Sequence, residues 1–492
     1  MERASGILMP MSSLPSPYGI GTMGEEAYRF IDFLAAAGQK YWQLLPLGPT
    51  AYGDSPYASP SSYAGNPYYI DLDLLIEEGL LTREDAEAAF FGSDPQRVDY
   101  GALYGNRFTL LRKAFIAGRE RYGAEIAAFR MENARWLESY ALFMALKERF
   151  AMRPWQQWPE DIRLRQPEAL PRYALACEEE IAFWVFTQFC FFRQWNALRA
   201  YAREKGIGFI GDIPIYVAPD SADIWSEPEY FLLDENRMCR EVSGVPPDGF
   251  TADGQLWGNP LYDWERLKQD GYGWWIRRVE GAARLFDVLR IDHFRGLESY
   301  WAVPAGEKTA RNGRWCPGPG IDFVRTLTGW FPNLSFIAED LGYLTPEVET
   351  LLKESGLPGM KVLHWAFDAD GDSDYMPHHI EENSVCYVGT HDNDTILGWV
   401  ETTPEEDKAF AREYARIGKE EGWCFGLIRV GMSTASRLFV AQMQDVLELG
   451  PACRMNRPGI AEGNWQWRML PGAATGERAA RLRHLTELYK RL

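Results

Sequence analysis

Residues 288–294 read VLRIDHF, residues 336–341 read FIAEDL and residues 385–392 read VCYVGTHD. Each is a short apolar run that closes on acid, at Asp292, Glu339 and Asp392. Five further runs have the same look: GILMP (6–10), YWQLLPL (41–47), GFIGDIPI (208–215), KVLHWAF (361–367) and FVAQMQDVL (439–447). Each is followed by a helical pattern or a long excursion before the next. Residues 24–37 (GEEAYRFIDFLAAA), for example, put Tyr28, Phe30, Ile31 and Leu34 near one helical face. Strands alternating with helices signal a parallel α/β sheet. Eight such units predict a closed (β/α)₈ TIM barrel over 1–492 rather than an open sheet.

The spacing predicts insertions. About 160 residues separate the second and third strands. Helical periodicity runs through 132–150 and 178–204, so 72–180 reads as a mainly helical insertion subdomain packed on the barrel. A second excursion, 217–285, is dense in Pro, Gly and Trp and reads as an active-site loop and helix segment. Long excursions in a compact protein are usually functional.

Carboxylates are uncommon on strands, because strand propensity disfavours them and burial is costly unless they are paired. In a barrel of this class, polar residues at C-terminal strand ends face the active site. Asp292 and Glu339 end consecutive predicted strands, and neighbouring strands lie about 4.8 Å apart. Retaining glycoside chemistry needs two carboxyl groups about 5–5.5 Å apart across the scissile bond, one as nucleophile and one as acid/base. Arg290, two residues before Asp292, points the same way. Its guanidinium is expected to keep Asp292 ionised as the nucleophile, while the Asp292 charge raises the Glu339 pKa and suits it to acid/base work. Asp392 is left to hold sugar hydroxyls and favour the positively charged transition state. His293 and His391 are adjacent donors, or satisfied core histidines.

Composition narrows the partners. A net charge of −19 gives no basic footprint for nucleic acid or anionic membrane, whereas a neutral sugar is compatible with it. The aromatic content of 14% serves either a large core or a groove for sugar rings. Seven cysteines without a CxxC pair, no leader-like N-terminus and no apolar run of about 18 residues predict free thiols and a cytoplasmic protein. GIGTMG (19–24) matches a dinucleotide fingerprint, but the strand after it ends without the acid a ribose needs. DADGDSD (368–374) misplaces the glycine of a calcium loop and lacks its closing Glu. His378 and His379 read as surface histidines, and no metal site is expected.

RIDHFRG (290–296), AEDLG (338–342) and GTHDND (389–394) resemble signature segments of the amylomaltase, or 4-α-glucanotransferase, family of the α-amylase-like clan. So do GDIPIYVAPDSADIW (211–225), SSLPSPYGIG (12–21), DSPYASPSSYAGNPYYI (54–70), GQLWGNPLYDW (254–264), LPGMKVL (357–363) and RMNRPGIAEGNWQWR (454–468), in family order over almost the whole chain. The resemblance implies a cofactor-free enzyme that cleaves an α-1,4-glucan bond. It would hold the glycosyl segment on Asp292 and pass it to the 4-hydroxyl of glucose or another glucan. It matches Glu339 to the acid/base and Asp392 to the transition-state stabiliser. Asp212, Arg290 and His391 match positions that hold the sugar, and Tyr57 matches an aromatic platform. Gln255 and Trp257 match a loop arching over the glucan, and Asn464 matches a late polar contact. It further implies no C-terminal β-sandwich domain. His364, Trp365, Ile460 and Glu462 depart from the family pattern without touching the catalytic assignment. The alternatives are an α-1,4-glucan hydrolase with the same carboxylates, or a non-catalytic glucan-binding protein. Tyr52 and Tyr100 are candidates for a surface glucan site or for core packing.

Overall fold

The computed structural model describes residues 2–51, 53–247, 251–342, 344–460 and 462–492; Tyr52 therefore lies outside the described residues. Eight strands close into a barrel: β1 (Ala4–Leu8), β2 (Tyr41–Gln43), β3 (Gly208–Ile213), β4 (Val288–Ile291), β5 (Ser335–Ala338), β6 (Gly359–Val362), β7 (Ser384–Tyr387) and β8 (Leu438–Gln442). All pairings are parallel, and the order around the barrel follows the chain, with β8 closing on β1. Every barrel strand overlaps one of the eight apolar runs, β6 by only Lys361 and Val362. Those runs are legible because the barrel strands are buried along almost their whole length, so apolar residues fill both faces.

The register brings distant residues level with one another. Asp212 on β3 pairs with Arg290 on β4, and Ile291 pairs with Ala338 on β5. Gly211 belongs to the packing of β3: a Cβ there would sit 2.1 Å from the ring of Phe286, which closes the barrel wall behind it. Helix Glu25–Ala36 follows β1, buries Phe30, Ile31 and Leu34 and packs on the terminal helix Gly476–Leu488. Between β2 and β3 the longer described elements are helices, among them Tyr100–Gly118, Ala134–Arg149 and Glu178–Glu204. The last runs 27 residues and buries Phe183, Trp184, Phe186 and Trp195.

One feature is absent from the sequence reading. Two segments of the 217–285 excursion, Glu241–Val245 and Gln255–Pro260, are strands. They join Ser299–Pro304 and Arg314–Pro317 in an antiparallel four-stranded sheet. A register shift between Val242 and Gly244 breaks the alternation, and Gln255–Pro260 is only partly buried, so neither gives a clean strand pattern.

The glycines of GIGTMG serve packing. A Cβ at Gly24 would meet the Asp71 carboxylate at 2.1 Å, and Thr22 donates to the same carboxylate. An acid thus stands where a phosphate would have to approach. Among the described residues, no helix is long and apolar enough to cross a membrane.

Candidate active site

The site forms at the C-terminal end of the barrel strands, where β3, β4, β5 and β7 run out. Arg290 is its pivot. Its side chain is almost wholly buried, and its Nη1 donates to Asp212 Oδ2 at 2.6 Å and to Asp292 Oδ1 at 2.9 Å. The β3–β4 register sets the first contact, and the two-residue spacing along β4 sets the second. Asp212 Oδ1 has no hydrogen-bond partner, which leaves a buried acceptor for a hydroxyl.

Glu339 is positioned by backbone. The chain leaves β4 through His293, whose φ of 52° and ψ of 49° lie in the left-handed region. That turn aims the His293 N–H at Glu339 Oε2 (2.7 Å), while the Leu341 N–H serves Oε1 (2.9 Å). The Phe294 N–H and the Ile291 carbonyl meanwhile bond the Glu339 backbone.

Asp392 follows β7. Asn456 Nδ2 donates to its Oδ1 at 2.6 Å, and Arg454 donates to its backbone carbonyl at 2.6 Å. His391 Nε2 lies 3.3 Å from Asp392 Oδ2 and 2.8 Å from the Tyr57 hydroxyl, which also bonds Asp212 Oδ2 at 2.8 Å. Burial, with Asp212 next, holds the Tyr57 hydroxyl well above its ordinary range, and burial pushes His391 down. Tyr57 has one proton, and the Asp212 oxygen that it faces already accepts from Arg290. The phenol therefore donates to Asp212, and a neutral His391 donates its Nε2 proton. The Tyr57 ring stacks on His391 at 5.4 Å and contacts Trp465 at 5.9 Å.

The electrostatics agree with the expected rise of Glu339 but give it another cause, and they move Asp292 up where the sequence reading holds it low. Burial raises both Asp292 and Glu339. Arg290 is the main influence holding Asp292 down, and Asp212, Glu339 and Asp392 add to the upward push. Burial outweighs the pull of Arg290, whose Nη1 is shared with Asp212, so Asp292 shifts up rather than down. For Glu339, the charge that adds to burial is Asp340, while Arg290 and the two backbone N–H groups oppose it. Glu339 also pushes Asp292 up, so ionising one acid opposes ionising the other and the pair holds its last proton jointly.

Trp257 stands over this mouth from the edge strand Gln255–Pro260. Its ring meets His293 edge to face at 4.7 Å, and its Nε1 donates to Gln255 Oε1 at 3.2 Å. It remains 37% exposed. His293 stays neutral, because burial and Arg295 push it down to about 3.

The structure thus gathers Tyr57, Asp212, Arg290, Asp292, His293, Glu339, His391 and Asp392, with Trp257 and Gln255 beside them. It does not bring Asn464 into hydrogen-bond contact with them. That amide is turned into its own loop, accepting from the Arg457 N–H (3.0 Å) and donating to the Ile460 carbonyl (2.7 Å). Sequence reasoning missed Asn456, Arg454 and Trp465. All three lie in RMNRPGIAEGNWQWR, but nothing in that spacing separates Asn456 from Asn464. Tyr100 donates to the Trp465 carbonyl at 2.8 Å and so supports the loop. Asp372 comes within reach of His378 and His379, their ligand atoms all within 4.8 Å, on an exposed surface.

A closed barrel with strand-end carboxylates around one guanidinium, roofed by an aromatic side chain, defines an enzyme of the (β/α)₈ glycoside-bond class. The comparisons narrow the class. The family model described as 4-alpha-glucanotransferase matches residues 9–473, and the chain belongs to that family. A 4-alpha-glucanotransferase of Thermus thermophilus is 48% identical over the whole of both chains. One of Clostridium butyricum is 46% identical over 98% of this chain and all of its own. The solved amylomaltase from Streptococcus agalactiae in complex with acarbose superposes with a TM-score of 0.97 at 42% identity, covering both chains fully.

Proposed function

We propose that this protein is a retaining 4-α-glucanotransferase working through Asp292, Glu339 and Asp392. The observation that carries the reading is the placement of Asp292 and Glu339 at the ends of adjacent strands, one tied to a guanidinium and the other to backbone N–H groups. Glu339 gives its proton to the glycosidic oxygen as an Asp292 oxygen attacks C1. The C1–O bond breaks, the reducing-end fragment leaves as an alcohol, and the donor segment stays on Asp292 as an ester. Glu339, now ionised, takes the proton of an incoming 4-hydroxyl, whose oxygen attacks C1 and releases Asp292. Asp392, His391, Tyr57 and Asp212 bind the hydroxyls of the sugar beside the cleaved bond. The carboxyl groups gathered at this site favour the positive charge that develops on that sugar.

Transfer requires that a sugar hydroxyl outcompete water. Trp257, held over His293 from the small sheet, supplies an acceptor platform and screens the ester. The donors are α-1,4-glucans and maltooligosaccharides, and the acceptors are glucose or another glucan. The acarbose complex of the Streptococcus agalactiae relative supports a maltooligosaccharide-shaped cleft. We further take 72–180 as a helical insertion subdomain and 217–285 as an active-site excursion. A cytoplasmic setting accords with the seven free thiols.

The test is incubation with maltotriose alone. Glucose with maltopentaose and longer chains, at little net gain in reducing ends, is the expected result. Glucose and maltose without longer products would mean hydrolysis. Asp292→Asn and Glu339→Gln should each abolish turnover while leaving the melting temperature within a few degrees.

A further inference from the structure

A cavity of about 250 Å³ lies away from the carboxylates, between helices Ala134–Arg149, Glu178–Glu204 and Gly273–Leu285 and the short helix Ala222–Ser226. It shares Ser61 and Tyr63 with the cleft that contains Tyr57 and Asp212, so the 57–63 segment is the partition between them.

Its walls are built. Tyr63 and Trp136 stack nearly parallel, with ring centroids 6.1 Å apart and 15° between planes. Gly281 makes room for this: a Cβ there would come within 2.8 Å of the Tyr63 ring. Tyr140 lines the cavity, is 1% exposed, and its hydroxyl has no hydrogen-bond partner. Arg165 also lines it, with a buried Nη1 that has none. Orphaned buried polar groups are costly, and a ligand that bonds them recovers the cost.

The charges choose the ligand. Among the described lining residues, Arg135, Arg165, Arg277 and Arg284 are matched in number by Glu132, Asp223, Glu227 and Glu280. Arg277 pairs with Glu227 at 2.6 Å and Arg284 with Glu132 at 3.8 Å. Such a wall offers donors and acceptors without net charge, which disfavours a phosphate, a nucleotide or a polyamine. Aromatic faces beside charged hydrogen-bonding groups suit the C–H faces and hydroxyls of a sugar. The volume falls just below the usual range of roughly 300–1,000 Å³ for ligand pockets, so the ligand is small.

We propose that this cavity is a second, non-catalytic site for a neutral sugar of one or two rings. Its occupancy reaches the catalytic cleft through the partition. The Ser62 N–H donates to Asp223 at 2.9 Å, and the Ala222 N–H donates to the Pro60 carbonyl at 2.8 Å. A sugar held against Asp223 and Tyr63 therefore stiffens the segment that carries Tyr57. The proposal stands whichever acceptor the catalytic site uses.

The test is hydrogen exchange of the full chain titrated with glucose, which is no donor and does not turn over alone, and separately with inorganic phosphate. Glucose should saturably slow exchange in 132–140, 222–227 and 277–284. Tyr140→Phe removes one hydroxyl and Ser139→Leu narrows the cavity. Each should weaken that protection by about fivefold or more in Kd, as the loss of one hydrogen bond predicts, with protection at 290–294 and 389–392 unchanged. Glucose protection confined to 290–294 and 389–392 would overturn the proposal. So would an unchanged Kd in both variants, or protection of the helices by phosphate at lower concentration than by glucose.

Discussion

Asn456→Ala is expected to separate an observed contact from a motif. Asn456 Nδ2 donates to Asp392 Oδ1 at 2.6 Å, a charge-assisted hydrogen bond. Such bonds contribute about 1.5–3 kcal/mol. The Asp392 side chain is 40% exposed, so water replaces part of what is lost. The lower half of that range, about 1.5–2 kcal/mol, corresponds to a fall of roughly 10–30-fold in rate. If Asp392 acts mainly in the transition state, the loss appears in kcat more than in KM. Asn464→Ala removes bonds only within the 457–464 loop, so its kcat should stay within about threefold. The assay is maltotriose disproportionation with kcat and KM resolved, alongside thermal melts. A double-mutant cycle sharpens it: with Asp392→Asn in place, Asn456→Ala should cost little more. The reasoning is refuted if Asn464→Ala lowers kcat more than Asn456→Ala, or if the two substitutions at 456 and 392 are additive.

Three further outcomes follow from the same geometry. Asp212→Asn leaves Arg290 wholly to Asp292 and removes a neighbouring charge. The Asp292 pKa falls, and since the nucleophile must be ionised, the acidic limb of kcat/KM moves to lower pH; a limb that stays or moves up contradicts this. Trp257→Ala opens the mouth above His293, and hydrolysis relative to transfer, read as reducing ends gained per bond cleaved, should rise several-fold; an unchanged ratio removes Trp257 from water exclusion. Asp445 is fully buried, its Oδ1 accepts from the Ile396 N–H and its Oδ2 has no partner, and burial pushes its carboxyl up to about 7. An acid whose folded pKa is raised stabilises below its unfolded value near 3.9 and loses that contribution as pH rises through about 7. Denaturant melts should therefore weaken between pH 4 and 8, and Asp445→Asn should flatten that slope.

The barrel was legible because its strands are buried nearly throughout and three of them run out into acids, a combination the periodicity of helices and half-exposed strands does not produce. Asp292, Glu339 and Asp392 were legible for the same reason. The Arg290–Asp292 contact is local, two residues along one strand. What a linear pattern does not show is the competing contact to Asp212, 78 residues earlier, which exists only through the β3–β4 register. Burial raises Asp292 against the pull of Arg290, and the Asp212 charge brought level by that register adds to the rise. The Tyr57–His391 bond spans 334 residues and depends on the barrel being closed. The small sheet was hidden by a bulge and by partial exposure, and with it the way Trp257 is held.

The three catalytic carboxyls are supported in three different ways, and this explains which supports a sequence reveals. Asp292 is held by a side chain of the strand it follows, two residues back, so the short run Arg290–Asp292 discloses the arrangement. Asp392 is held by Asn456, from a loop after β8, so a motif narrows the choice and only geometry makes it. Glu339 is held by peptide N–H groups, which carry no side-chain signature at all. Its placement depends on His293 accepting a left-handed conformation, at roughly 1–2 kcal/mol for a residue with a Cβ. Two N–H bonds to a carboxyl offset that cost, and most strongly while the group is ionised. An acid/base that alternates between its two forms is thus gripped harder in its ionised form, so the turn at His293 favours the state in which Glu339 takes up the acceptor's proton.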